Sequence, residues 1–312
     1  MEPVRFSPFP DKSRVVFYGD SITRLGGGVL RVAAEYRARF PQRDVRFLNA
    51  GISGGGLPDA ALYFDGWVAP MRPTHVVIAF GVNDATAMAN GRVADPDAEA
   101  KRVGAALAAF RERYAALLDR VAALRATAIL RAITPFDDSA RTEADAAPAD
   151  SGKAELFRRV AAEIRGLATE RGLPCIDDWA RMSALLADGE DDFMPDRVHP
   201  VDHGQWRLAE TFLAAQGLPI APYRPREETA AAAGLAEWDA LSQRLANILS
   251  AERTFVRDES LDTASRLAKV EAWLDANESK PGILPILLRF ARDYLRDKPQ
   301  EAALRTALAP AR

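Results

Sequence analysis

The sequence predicts an α/β fold: a three-layer, doubly wound parallel sheet followed by a C-terminal helical extension. From residue 14 to about residue 220, short apolar runs alternate with longer amphipathic segments. The apolar runs lack the polar alternation of a half-exposed strand, which indicates a sheet covered by helices on both faces. Strands that alternate with helices along a chain are typical of parallel sheets with crossover connections. In such folds we expect the functional loops at the carboxyl ends of the strands.

Five strands and the helices between them account for the first 222 residues. The predicted strands are RVVFYG, VRFLNAG, THVVIAFG, ATAILRAITP and LPCIDDW. The predicted helices include LRVAAEYRARF, DAEAKRVGAALAAFRERYAALLDRVAALRA and KAELFRRVAAEIRGLATERG. Because strands and helices alternate without interruption, we assign residues 1–222 to one domain.

The chain changes character after the proline-rich connector GLPIAPYRPREE, and residues 223–312 form the predicted extension. Here apolar residues recur only at helical spacing, as at Leu245 and Ile248. Further amphipathic stretches follow near residues 261–274 and 283–295. We expect two or three packed helices, and we leave open whether they join subunits in a homo-oligomer.

The composition excludes several classes of protein. A net charge of −3 gives no reason to expect nucleic acid or an anionic membrane as partner. The single cysteine, Cys175, excludes an internal disulfide and a cysteine-rich zinc site. No window approaches the roughly 20 apolar residues that a membrane span needs. The N-terminus resembles no signal peptide, so we expect a cytoplasmic protein unless a leader was removed.

Glycine and small polar residues follow three of the predicted strands. The first strand runs into GDS, which ends at Ser21; the second ends at Gly51; the third is followed by GVND, which contains Asn83. A serine between a strand and a helix lies where backbone N–H groups and the helix dipole favour negative charge. Alternatively, Ser21 is only the N-cap of that helix.

The other two strand ends favour a chemical role. An acyl-transfer oxyanion needs two or three hydrogen-bond donors that converge on one point. Gly51 permits close approach because it has no side chain, and the Asn83 amide is a neutral donor. Each residue alone is also consistent with a tight turn, but turn chemistry does not explain why all three follow strands of one sheet.

The stretch FMPDRVHPVDHGQW contains two of the three histidines of the chain. A serine hydroxyl needs a base within about 3 Å, and that base needs an orienting partner. His199 is the candidate base and Asp196, three residues before it, the candidate orienter. The alternative is a zinc site made of Asp196, His199 and His203. That site would leave the residues at the strand ends without a role, so we favour the triad.

A second serine competes as nucleophile. GISGG, residues 51–55, matches the G-x-S-x-G nucleophile elbow, which would select Ser53. In that elbow the serine turn runs directly into a helix. Here Ser53 is followed by further glycines, a leucine and a proline, which begin a helix poorly. We therefore favour Ser21.

Four segments, GDSIT, NAGISGGG, GVND and DRVHP, are similar to sequence blocks of the SGNH hydrolase superfamily, also called GDSL esterases and lipases. The resemblance implies that Ser21 is the nucleophile and, through its own N–H, the first oxyanion donor. It implies Gly51 as the second backbone donor and the Asn83 side chain as the third. It also implies that Asp196 and His199 complete the triad.

The resemblance covers about residues 14–215, in the order of the family's blocks. Such sequences often carry asparagine or glycine soon after the HP of the last block, whereas this chain reads VDHG. That departure leaves the triad intact and predicts a different wall for the pocket. The helical extension lies outside the resemblance.

The combined prediction is a serine esterase that hydrolyses short acyl esters, such as acetyl esters on a carbohydrate, through an acyl-enzyme intermediate. We expect no metal or organic cofactor, and we expect Phe193, Met194 and Trp179 to line the acyl pocket. Two alternatives stay open. One is a lysophospholipase or thioesterase of the same superfamily, and the other is an interaction protein built on an inactive hydrolase scaffold.

Overall fold

The computed structural model describes residues 6–138, 152–190, 193–256 and 262–277, together with residues 288, 289, 291–293, 295 and 296. The amphipathic stretch predicted near residues 283–295 therefore lies largely outside the described residues. No helix within the described ranges is long and apolar enough to cross a bilayer.

A five-stranded, fully parallel sheet forms the centre of the molecule, with strand order β2-β1-β3-β4-β5. The strands are β1 (Arg14–Gly19), β2 (Arg46–Gly51), β3 (His75–Ala79), β4 (Thr127–Ala132) and β5 (Cys175–Asp177). The strand order reverses beside β1, and ligands of open α/β sheets bind at such a switch point. The predicted fold class is confirmed.

Within the described residues, eleven α-helices connect the strands or follow the last strand. They are α1 (Ser21–Leu25), α2 (Gly27–Arg39), α3 (Leu57–Tyr63), α4 (Val82–Asn90), α5 (Pro96–Ala123), α6 (Lys153–Arg171), α7 (Asp178–Ala187), α8 (Asp202–Ala214), α9 (Arg226–Ala232), α10 (Ala236–Ala251) and α11 (Thr263–Asn277). A π-helical segment, Phe64–Val68, and a short 3₁₀ turn, Ala69–Met71, follow α3. A second π-helical segment, Glu252–Val256, continues α10.

Both faces of the sheet are buried, as the apolar strands predict. On β1, Val16 and Tyr18 pack on one face, against helices that include α3, α5 and α6. Val15 and Phe17 pack on the other face, against α2 and α8. Successive strand residues point to opposite faces, so a continuous apolar run fills two helical layers at once.

The first three strands end at one level. Gly19, the last residue of β1, is in register with Gly51 of β2 and with Ala79 of β3. The segments that carry Ser21, Ser53 and the start of α4 therefore leave the sheet from the same edge.

Part of the C-terminal extension belongs to the main core. Leu245, Ile248 and Leu249 of α10 join the cluster that contains Val16 and Tyr18. The helix lies against β2 and α1, next to the carboxyl edge of the sheet. The domain boundary at residue 222 stays a prediction based on the change in sequence pattern. Side chains from both sides of this boundary pack in one core.

Candidate active site

Ser21 is placed by a short helix that is capped at both ends. Asp20 is the N-cap of α1, and its Oδ1 accepts a hydrogen bond from the Ile22 N–H at 3.0 Å. Gly26 ends the helix in the left-handed conformation, with φ of 77°. Ser21 is thus the first helical residue rather than the cap, and its side chain is free to face another element. Its Oγ lies 2.7 Å from His199 Nε2.

His199 is held by the loop that precedes α8. Its Nδ1 lies 2.6 Å from Asp196 Oδ2, while Asp196 Oδ1 accepts the N–H groups of Val198 at 3.1 Å and His199 at 2.7 Å. The Asp196 side chain remains 55% exposed. Burial alone would raise the pKa of Asp196, but the hydrogen bonds from His199 and Val198 outweigh it and lower that pKa. The carboxylate is therefore ionised and oriented toward the imidazole.

Asn83 lies in the first turn of α4, directly after β3. Its Nδ2 donates a hydrogen bond to the Gly55 carbonyl at 2.8 Å, and its side chain is half-buried. An asparagine amide has two N–H donors, so one remains for a further acceptor. The contact joins the start of α4 to the glycine-rich loop between β2 and α3.

Gly51 does not have the role predicted for it. Its N–H donates to Asn49 Oδ1 at 2.9 Å inside the protein. A Cβ on Gly51 would lie 2.2 Å from the Arg24 nitrogen. The glycine is required because α1 packs against the end of β2, and its N–H already has an acceptor.

Gly54 is the residue that sequence reasoning missed. All the other N–H groups between residues 51 and 57 donate to acceptors within the protein. For the Gly54 N–H, the described residues offer no acceptor. Gly54 also has a φ of 65°, which favours glycine. The signal in the sequence was the run of three glycines that follows Ser53.

Two of the three predicted pocket residues do not reach the surface. Phe193 and Met194 are fully buried and pack with Met182 and Leu185 of α7. They anchor the loop beneath His199, so the prediction that they line the acyl pocket is corrected. Trp179 is half-buried and packs at the edge of the main core.

The competing sites predicted from the sequence are not assembled. Ser53 donates its N–H to Ser250 Oγ at 2.9 Å, and no histidine of the described residues is bonded to its hydroxyl. His203 stacks on Trp206, with ring centroids 5.6 Å apart. Both ring nitrogens of His199 are already engaged by Ser21 and Asp196. Within the described ranges, no three acidic, histidine or cysteine side chains are grouped as metal ligands.

The other titratable candidates have structural environments. His75 contacts Thr74 Oγ1 through Nδ1 at 2.9 Å and packs on Phe9, and burial lowers its pKa. Burial raises the pKa of Cys175 to about 12, so its thiol is not an activated nucleophile.

Buried carboxyl groups lie beneath the site. Burial raises the pKa of Asp20 to about 7 and that of Asp84 to about 6. Asp84 follows Asn83 and accepts the Leu57 N–H at 3.2 Å, which ties α4 to α3. The Asp20 carboxyl group, which caps the helix of the serine, is thus shielded from water and that of Asp84 is half-buried, whereas Asp196 is exposed.

A sequence model of the GDSL-like lipase/acylhydrolase family matches residues 17–207, more than half of the chain. A search of curated proteins found no match to the chain.

Solved structures share the fold. A gut microbial diltiazem-metabolizing enzyme matches over 97% of this chain and 96% of its own, with 16% identity and a TM-score of 0.73. An acetylxylan esterase from Geobacillus stearothermophilus matches over 69% of this chain and 99% of its own, with 23% identity and a TM-score of 0.53. An acetyl xylan esterase, AlAXEase, covers 65% and 98% at 21% identity, with a TM-score of 0.51.

Proposed function

The chain belongs to the GDSL-like lipase/acylhydrolase family and is a carboxylic ester hydrolase, and we propose that it is a serine esterase with Ser21, His199 and Asp196 as its triad. The observation that carries the proposal is the continuous pair of contacts, 2.7 Å from Ser21 Oγ to His199 Nε2 and 2.6 Å from His199 Nδ1 to Asp196 Oδ2. Both distances are within the reach that proton transfer needs.

Acylation begins when His199 Nε2 takes the Ser21 proton as Oγ attacks the ester carbonyl. The carbonyl oxygen becomes an oxyanion, and Asp196 stabilises the imidazolium that forms. His199 then gives its proton to the leaving alcohol, which leaves the acyl group on Ser21. Water, deprotonated by the same imidazole, then attacks the acyl-enzyme. The imidazolium returns the proton to Ser21 Oγ as the bond between Oγ and the acyl carbon breaks, which releases the acid.

The oxyanion is stabilised by N–H donors from three segments. Ser21 N–H is one of the first N–H groups of α1, which have no partner inside the helix. The second N–H of the Asn83 amide is the next donor. Gly54 N–H replaces the Gly51 donor predicted from the sequence, because the Gly51 N–H is bonded to Asn49. Such donors contribute most when they are fixed before the reaction.

The proposed substrate is a short acyl ester, with acetyl esters of carbohydrates as the best candidates. Two structures of the same fold are described as acetyl xylan esterases. The family assignment and the assembled triad favour an active enzyme over an inactive scaffold.

The test combines two serine variants with a series of acyl chains. Hydrolysis of p-nitrophenyl acetate, butyrate and octanoate is measured for the wild type, Ser21→Ala and Ser53→Ala, with acetylated xylooligosaccharide as a further substrate. We expect the highest kcat/KM on the acetyl esters and its loss only in Ser21→Ala. Preference for octanoate would instead favour a lysophospholipase or thioesterase. Full activity in Ser21→Ala would refute the triad.

A further inference from the structure

We propose that Arg253, in the π-helical segment after α10, is a positioning residue of the ester-hydrolysing site and acts through the peptide bond between Ser53 and Gly54. The inference rests on the proposed function, because the Gly54 N–H has this role only if an oxyanion forms beside Ser21. It assigns part of the site to the C-terminal extension, which lies beyond the matched residues 17–207.

The contact between the extension and the glycine-rich loop is direct. Arg253 Nη1 donates a hydrogen bond to the Ser53 carbonyl oxygen at 3.3 Å. A Cβ built on Gly54 would lie 3.0 Å from the same nitrogen, so the guanidinium packs against Gly54 itself. A side chain at this position would press on the guanidinium and displace it from the loop.

The same peptide carries the proposed oxyanion donor. The Ser53 carbonyl and the Gly54 N–H belong to one planar unit and point in opposite directions. A cation on the carbonyl oxygen therefore fixes the plane and directs the N–H away from Arg253. It also polarises the peptide, which makes the N–H a stronger donor to a developing negative charge.

A second residue of the extension holds the neighbouring peptide. Ser250 Oγ accepts the Ser53 N–H at 2.9 Å and donates to the Ala246 carbonyl of its own helix at 2.8 Å. Ser250 is fully buried. Ser250 and Arg253 thus hold the loop through both the N–H and the carbonyl of Ser53. The carbonyl of the nearby Gly55 accepts the hydrogen bond from the Asn83 amide.

Arg253 is itself held in place. Its Nε lies 3.1 Å from Asp59 Oδ2, and Asp59 Oδ2 also accepts the Gly56 N–H at 3.1 Å. The preceding residue, Glu252, accepts the Trp67 indole N–H at 2.9 Å. The Arg253 side chain is 29% exposed, so water screens its charge only in part. These contacts fix the cation relative to the loop before any substrate binds.

The experiment compares Arg253→Ala, Arg253→Lys and the control Arg244→Ala in the full chain. Arg244 is an exposed residue of α10, so its removal also deletes one positive charge from the extension. Functional sites are counted by titration with a fluorophosphonate, and kcat and KM for p-nitrophenyl acetate are reported per titrated site. Affinity for a trifluoromethyl ketone, whose adduct with serine carries an oxyanion, is measured in parallel.

We expect Arg253→Ala to lower kcat per titrated site about tenfold, while KM stays within about twofold. The inhibition constant of the trifluoromethyl ketone should rise by a similar factor. Arg253→Lys should recover part of both losses because it keeps the charge, and Arg244→Ala should match the wild type. Should Arg253→Ala fail to fold, Arg253→Gln and Ser250→Ala provide the same comparison.

A purely structural role would give a different result. The number of titratable sites or the thermal stability would fall, while kcat per site and the ketone inhibition constant would stay at the wild-type values. That result would overturn the proposal while the triad stands. Activity that survives Ser21→Ala would instead refute the proposed function, so the two failures are distinguishable.

Discussion

The two halves of the candidate active site are held in place in different ways. The base half is one short loop, in which Asp196 accepts three hydrogen bonds from Val198 and His199. The oxyanion half is assembled from distant parts of the chain. Ser53 is bonded by Ser250 and Arg253, which lie 197 and 200 positions away along the sequence.

The residues that support the two halves also differ in exposure. On the base side, the side chains of His199 and Asp196 are 39% and 55% exposed. On the oxyanion side, the supporting residue Ser250 is fully buried, while the proposed donors Asn83 and Gly54 are half-buried and exposed, respectively. A local loop can orient a base in contact with water, whereas donors for a developing charge are most effective when other residues fix them before the reaction. The comparison predicts that variants in the two halves will fail in different ways.

The largest expected effect comes from the base half. His199→Ala should lower kcat about 10⁴-fold or more, because it removes the base that lies 2.7 Å from Ser21 Oγ. His203→Ala, four residues further along, is the matched control and should keep near-normal activity. Steady-state hydrolysis of p-nitrophenyl acetate measures both variants. If His203→Ala were the inactive variant, the base would have been misassigned.

The oxyanion half should give a smaller, selective loss. Asn83→Ala removes one donor and should lower kcat about 10²- to 10³-fold with little change in KM. Asn90→Ala, an exposed residue at the other end of α4, is the control. The pH dependence of kcat/KM, which reports the base, should keep its wild-type shape in Asn83→Ala. A pH profile that shifts would mean that Asn83 acts on the base half instead.

The smallest effect on turnover, and a distinct effect on stability, is expected at Asp20. Burial raises its pKa from 3.8 to about 7, so between these values the folded protein keeps a proton that the unfolded chain releases. Folding therefore becomes less favourable as the pH rises through this window, by at most about 4 kcal/mol. Asp20→Asn keeps the cap to the Ile22 N–H and removes the ionisation.

Denaturant unfolding at about pH 5 and about pH 8 tests whether the Asp20 proton makes the folded protein less stable as the pH rises. The stability of Asp20→Asn relative to the wild type should increase between the lower and the higher pH. A difference that is constant with pH, or that falls, would contradict the buried, proton-retaining environment of Asp20.

The two halves of the site also differ in how much of them could be predicted from the sequence. The fold followed from apolar runs that fill both faces of the sheet, and the Asp196–His199 pair followed from a spacing of three residues. Both signals are local. The long-range contacts could not be read in this way, because nothing near Ser53 in the sequence identifies Ser250 or Arg253 as its partners.

The two corrections have the same cause. Gly51 and Gly54 look alike in the sequence, and only the hydrogen bond to Asn49 and the contact with Arg24 distinguish them. Phe193, which we predicted to line the acyl pocket, packs instead against α7 on the buried side of the loop. Side-chain direction depends on packing partners that the local sequence does not contain.

The most direct test of the account is the site of covalent labelling by a fluorophosphonate, determined by proteolysis and mass spectrometry. Trypsin cleaves after Arg14 and Arg24, so Ser21 and Ser53 fall in different peptides. We expect the adduct on Ser21 and a parallel loss of esterase activity. An adduct on Ser53, or full activity with Ser21 labelled, would contradict the assignment.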